Sequence, residues 1–169
     1  MKKITAFSLL SMMAAGTAVA QTDSAALERF VKQSQPLCER QPAQQCIDAF
    51  WSYADLDRDN ALNLSEVQRI RSVVELWVVE KGKTMPPRDR SSILMGIMMV
   101  DSAGLPTLFN NYDTSGDGKL SQKELFADVK LDNRPLPQIL ADRNAVDMPA
   151  TKVKLGALGP LLDGMLTRR

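Results

Sequence analysis

Apolar residues recur at helical spacing along most of the chain, and the predicted elements follow from where that spacing starts and stops. Ala26, Leu27, Phe30 and Val31 lie on one face of a short first helix that Asp23 or Ser24 can cap and that Pro36 ends. Pro42 suits the first turn of a second helix, in which Ile47, Phe50, Trp51 and Ala54 share a face. An acidic stretch, 55–66, follows directly. Val67, Ile70, Val73, Val74 and Trp77 then restore the helical period up to Gly82, and 83–88, with Pro86 and Pro87, reads as a linker. Segment 91–103 carries Ile93, Leu94, Ile97, Met98 and Val100, too many apolar positions for one stripe, which predicts a helix buried on most sides. Gly104 closes it and Pro106 starts the next helix, where Leu105, Leu108, Phe109 and Tyr112 repeat the spacing seen before the first acidic stretch. A second acidic stretch, 113–124, leads into an outgoing helix through Leu125, Phe126 and Val129 that runs to about residue 130. Pro135, Pro137, Pro149 and Pro160 break what remains, in which Leu155, Leu158, Leu162, Met165 and Leu166 would line one face of a broken terminal helix.

Before this pattern begins, Lys2 and Lys3, the apolar run 4–15 and the small-residue site Ala18-Val19-Ala20 make the three parts of a secretory signal peptide over 1–20. The run falls short of the roughly 20 residues that span a bilayer, so stable membrane insertion is not expected. The mature chain is expected to begin at Gln21, in the periplasm or outside the cell. With 21 basic and 20 acidic side chains, and Lys2 and Lys3 lost with the leader, it is close to neutral, and no basic face is concentrated for nucleic acid. Cys38 and Cys46 are the two cysteines, and an even count in an oxidising compartment reads as a disulfide. Histidine is absent from the chain. That removes histidine general acid/base work, Ser-His-Asp and Cys-His arrangements and the usual zinc sites, and an enzyme is not expected.

The two acidic stretches hold the chemistry. A hard cation such as calcium takes six to eight oxygens, so a loop that holds it needs carboxylates and carbonyls at alternate positions, a sharp turn, and a closing carboxylate. The second stretch offers Asp113, Ser115 and Asp117 at positions 1, 3 and 5, Gly118 at the turn, the Lys119 carbonyl at 7, Ser121 at 9 and Glu124 at 12. Ser115 coordinates without adding charge. The first offers Asp55, Asp57 and Asp59, the Ala61 carbonyl, Asn63 and Glu66 at the same positions, with Asn60 where glycine is usual. Asparagine is the next most tolerant residue of the left-handed conformation that such a turn needs. Leucine stands at position 8 of both, Leu62 and Leu120. This duplicated helix–loop–helix grammar resembles the EF-hand calcium-binding family. The resemblance covers 42–130 and implies paired loops that meet through the two leucines. The loop starts lie further apart than is usual for a close pair, and the excess is the linker and the 91–103 helix. Dockerin repeats, the other exported calcium loops, lack a full incoming helix and usually end in aspartate.

The expected fold is therefore all-α: an EF-hand pair over 42–130 with an extra inserted helix, an N-terminal helix and lead-in over 21–41, and a helical tail over 131–169. The expected function is calcium binding that stabilises or switches an interaction surface. The alternative is a calcium-independent periplasmic scaffold with vestigial EF-hands. Met95, Met98 and Met99 read more simply as core than as a sensor's target groove, and the partner, if not an unidentified protein, is the chain's own 153–166 segment folded back into that groove.

Overall fold

The computed structural model describes the backbone of residues 15–160 and the side chains of residues 23–160. The chain is mostly helical, in the order α1 (Ala15–Arg40), α2 (Ala43–Ala54), β1 (Ala61–Asn63), α3 (Leu64–Lys81), α4 (Pro87–Ala103), α5 (Leu105–Tyr112), β2 (Lys119–Ser121), α6 (Gln122–Leu125), α7 (Leu136–Ala141), α8 (Met148–Leu155) and a final 3-10 turn, Gly156–Leu158. The basic and most of the apolar part of the predicted leader lie outside the described residues, and 15–20 continue α1 as helix. No single helix among the described residues is long and apolar enough to cross a membrane.

The α1 helix does not stop at Pro36 but runs to Arg40. Proline removes one backbone donor, and here both Pro36 and Lys32, whose carbonyl loses that donor, are exposed, so that carbonyl is open to solvent. Cys38 and Cys46 are disulfide-bonded and fasten the end of α1 to the start of α2. Closing so short a loop contributes about 2–3 kcal/mol in the chain-entropy picture. A structural disulfide fits an oxidising compartment.

The α2 helix buries Ala43, Cys46, Ile47, Trp51 and Ala54, which recur at i, i+3, i+4, i+8 and i+11 and so lie on one face. Ile47, Trp51 and Ala54 meet Leu62, Phe109 and Leu120 in the main core, with Phe50, Val67, Ile70 and Tyr112 around them. Each large apolar side chain fully buried there contributes roughly 1.5–3 kcal/mol relative to exposure. The helices before the two acidic loops, α2 and α5, thus send their apolar faces to one place. The strands of the two loops pair antiparallel, Ala61 with Ser121, Leu62 with Leu120 and Asn63 with Lys119. The leucines are therefore direct partners, and both are buried.

Two further expectations are corrected. The 91–103 segment is helical, within α4, but none of its residues is buried, and Met95 and Met98 stand 50% and 68% exposed. It packs on α3, α5 and the 3-10 turn 156–158, whereas α7 folds against α1 and α2 and α8 against α5. The outgoing helix after the second loop stops at Leu125. From Val129 the chain is drawn away by a bridge to Val146 and by the Lys130 N–H donating to the Ala145 carbonyl, bonds that a continuing helix would forfeit. The tail is a broken helix over 148–158, as expected: α8 ends at Leu155, a 3-10 turn follows and Leu158 is buried, while Val153 is 79% exposed. Leu162, Met165 and Leu166 lie outside the described residues. The stretch after the second loop is nevertheless anchored, because Ile139 and Ala145 form a small second core with Ala43. Lys154 pairs with Asp128 and lies 5.0 Å over the Tyr112 ring, which fixes α8 to α5.

Candidate metal centre

Each acidic loop begins where a core helix ends. Trp51, deep in the core, donates its indole N–H to the Asn60 carbonyl at 3.2 Å, tying the first loop's turn to α2. The Arg69 guanidinium on α3 donates to the Tyr53 and Ala54 carbonyls at 3.1 and 3.3 Å, satisfying the last turn of α2 beside Asp55. It also lies over the Tyr53 ring, which stacks on Phe30 of α1.

Inside the loops one hydrogen-bond scheme occurs twice. Asp55 accepts from the Arg58 N–H through Oδ1 at 2.6 Å and from the Asn60 N–H through Oδ2 at 2.9 Å. Asp113 accepts from Gly116 and Gly118 in the same way, each at 2.8 Å. Position 5 follows suit, with Asp59 accepting from Ala61 and Asp117 from Lys119, both at 2.9 Å. At position 12, Glu66 takes the Leu56 N–H at 2.7 Å and the Asn63 N–H at 2.9 Å. Glu124 takes those of Ser115 and Ser121, both at 2.9 Å, and the Ser121 hydroxyl at 2.8 Å. Both glutamates are buried and also close the first turn of the outgoing helix as capping boxes, with Asn63 and Ser121 as the caps.

The turns demand left-handed backbone at positions 4 and 6 of both loops. The second loop supplies glycine at each, Gly116 at φ 73° and Gly118 at φ 78°. The first uses Arg58 at φ 61° and Asn60 at φ 67°, the two non-glycine residues with positive φ among those described. That conformation costs an ordinary L-residue about 1–2 kcal/mol, and asparagine less.

The structure brings Asp55, Asp57 and Asp59 together, one carboxylate oxygen from each within 4.8 Å of the others, a cluster that could hold a metal ion. Asp57 is exposed as a residue, yet partial desolvation of its carboxyl raises its pKa, and the charges of Asp59 and Glu66 add to the effect. Asp59 is shifted the other way, because the Lys119 ammonium from the second loop pairs with its Oδ2. In the second loop the Ser115 hydroxyl donates to Asp113 Oδ1 at 3.2 Å. The Ser121 N–H, then its hydroxyl and the Ser115 N–H, hold Glu124 down to about 2. The first loop's donors are oxygens only, with three carboxylates converging, and both cysteines are bonded, so the set suits a hard cation rather than a soft one. Glu66 accepts one backbone N–H on each oxygen, which leaves lone pairs for a metal, whereas Glu124 accepts two bonds on each oxygen, from the Ser115 and Ser121 N–H groups and the Thr114 and Ser121 hydroxyls.

Sequence reasoning did not find Lys119 on Asp59 or Arg69 at the end of α2. The first had a visible signal, a lysine flanking the strand leucine of one loop opposite an all-aspartate loop. The second had none, because Arg69 and Tyr53 meet only once α3 packs on α2. No protein-family model matches the chain, and comparison with curated proteins and with solved structures finds no significant match.

Proposed function

We propose that the chain binds calcium in loops 55–66 and 113–124, as an exported EF-hand-like protein whose fold the metal stabilises. The observation that carries this reading is the hydrogen-bond scheme repeated at positions 1, 4, 6, 9 and 12 of both loops. An acidic surface turn has no reason to turn its first and last carboxylates inward twice in one chain. In the first loop Asp55, Asp57, Asp59, Asn63, Glu66 and the Ala61 carbonyl would hold the ion. In the second it would be Asp113, Ser115, Asp117, Ser121, Glu124 and the Lys119 carbonyl. Bound calcium would supply the positive charge that lets these carboxylates stay close. The rest is done by the chain: glutamate capping boxes and strand pairing fix the donors in place, and the two loops are coupled through Leu62 and Leu120.

Calorimetric titration of the chain with calcium tests this. Two binding events are expected, one lost in Glu66→Gln and the other in Glu124→Gln, each with an affinity loss of at least about tenfold at the altered loop. No heat up to millimolar calcium sinks the proposal. A calcium-independent interaction protein then becomes the reading, and one feature favours it: α4 presents Leu94, Met95 and Met98 to solvent. A sensor that opens on binding predicts a gain in hydrophobic-dye fluorescence with calcium. A stabilised scaffold predicts a higher Tm with unchanged dye binding.

A further inference from the structure

We infer that Lys119 sets the cation affinity of the first loop from within the second, as a tethered competitor for Asp59. The inference rests on the reading of 55–66 as a calcium loop and specifies how that loop is regulated. Lys119 belongs to both loops: its backbone carbonyl stands at position 7 of the second, while its ammonium pairs with Asp59 Oδ2 in the first. The reach is fixed by the fold, because Lys119 lies in β2 directly opposite Asn63 of β1. Asp59 is one of the three aspartates whose oxygens converge within 4.8 Å, so the ammonium is a monovalent charge held at the rim of the cluster that a divalent ion must enter. A cation that takes Asp59 either displaces the lysine or binds against its charge. Both weaken binding, and both depend on ionic strength because the side chain is partly exposed. The same contact relieves repulsion among Asp55, Asp57 and Asp59 when no metal is bound. Lys119 therefore trades first-loop affinity for a first loop that keeps its shape without calcium.

The test uses the full chain carrying Glu124→Gln, so that the first loop alone binds, and compares this parent with the same chain carrying in addition Lys119→Gln, Lys119→Met or Lys123→Gln. Lys123 is exposed on the second loop, and its replacement removes the same charge without touching Asp59. Calcium titration at low salt should show first-loop affinity rising about two- to fivefold in both Lys119 variants and by less than half as much in Lys123→Gln. The gain should shrink as salt is added. In chelator, thermal unfolding of the Lys119 variants should fall below the parent, a readout that needs no bound metal. Lys119→Met keeps the aliphatic stem, so loss of packing cannot produce the result. Binding by the parent that both Lys119 variants leave unchanged or weaken overturns this inference alone. Absence of binding in the parent overturns it together with the calcium reading.

Discussion

The two acidic loops reach the same hydrogen-bond scheme from different residues, and the comparison separates backbone strain from charge. The second loop places glycine at both left-handed positions and has serine at position 3. The first places Arg58 and Asn60 in that conformation, has aspartate at all three early positions, and takes a lysine from its partner onto the third. One loop is relaxed and modestly charged; the other is strained, more acidic and partly neutralised from outside. Paired loops in one small core need not be equivalent, and the strand contact between them is where they meet.

The largest effects should come from that contact. Leu62→Ala and Leu120→Ala should each cost about 2–5 kcal/mol in denaturant unfolding, since both side chains are buried in the main core. The double variant should cost less than the sum, because the partners share one cavity. Additive losses would mean that the loops are stabilised separately. Next come the position-12 carboxylates. Glu66→Ala and Glu124→Ala should each cost about 1–3 kcal/mol, because the N–H groups of positions 2 or 3 and 9 lose their acceptor at a buried site. Equal losses would show that this part of the scheme is insensitive to the different turns.

The turn residues sharpen the contrast further. Gly118→Ala should destabilise by about 1–2 kcal/mol, and since a Cβ there meets nothing within 4 Å, the cost is conformational and not steric crowding. Asn60→Gly should change stability by about 0.5 kcal/mol or less, asparagine already tolerating the region. The smallest effect lies outside the loops. Glu28 on α1 pairs with Lys32 and with Lys81 on α3, which lowers its pKa from 4.5 to about 2. A carboxylate lowered on folding stabilises above its unfolded value and loses that contribution as pH falls. The Tm difference between wild type and Glu28→Gln should therefore vanish between pH 4.5 and about 2. Its persistence at pH 2 would assign the effect to packing.

What could be read from the sequence was what is local. The loop grammar occupies twelve consecutive positions and the α2 and α5 faces a few turns each, so Asp55, Glu66, Trp51 and Phe109 were placed by spacing alone. The α4 helix departs from its apolar pattern because apolarity predicts a wish for burial, whereas among the described residues it is mainly α3, α5 and the 3-10 turn that pack on it. Pro36 does not end α1 for a related reason: proline's cost depends on whether water can reach the orphaned carbonyl. The early end of α6 was illegible, since it is decided by a bridge to Val146, a residue whose sequence neighbourhood carries no strand signal.

The register of β1 against β2 also bears on the order in which the molecule assembles. Leu62 cannot meet Leu120 until α3, α4 and α5 have been made and folded back, so the strand contact closes one of the longer loops in the chain. During synthesis the first acidic loop emerges well before its mate, with half of its core missing. Contacts of such sequence separation are slow to form, whereas α1, α2 and the disulfide between them need only neighbouring residues. The N-terminal pair should form early and wait for β2, and the arrival of β2 should be the step at which the fold becomes cooperative.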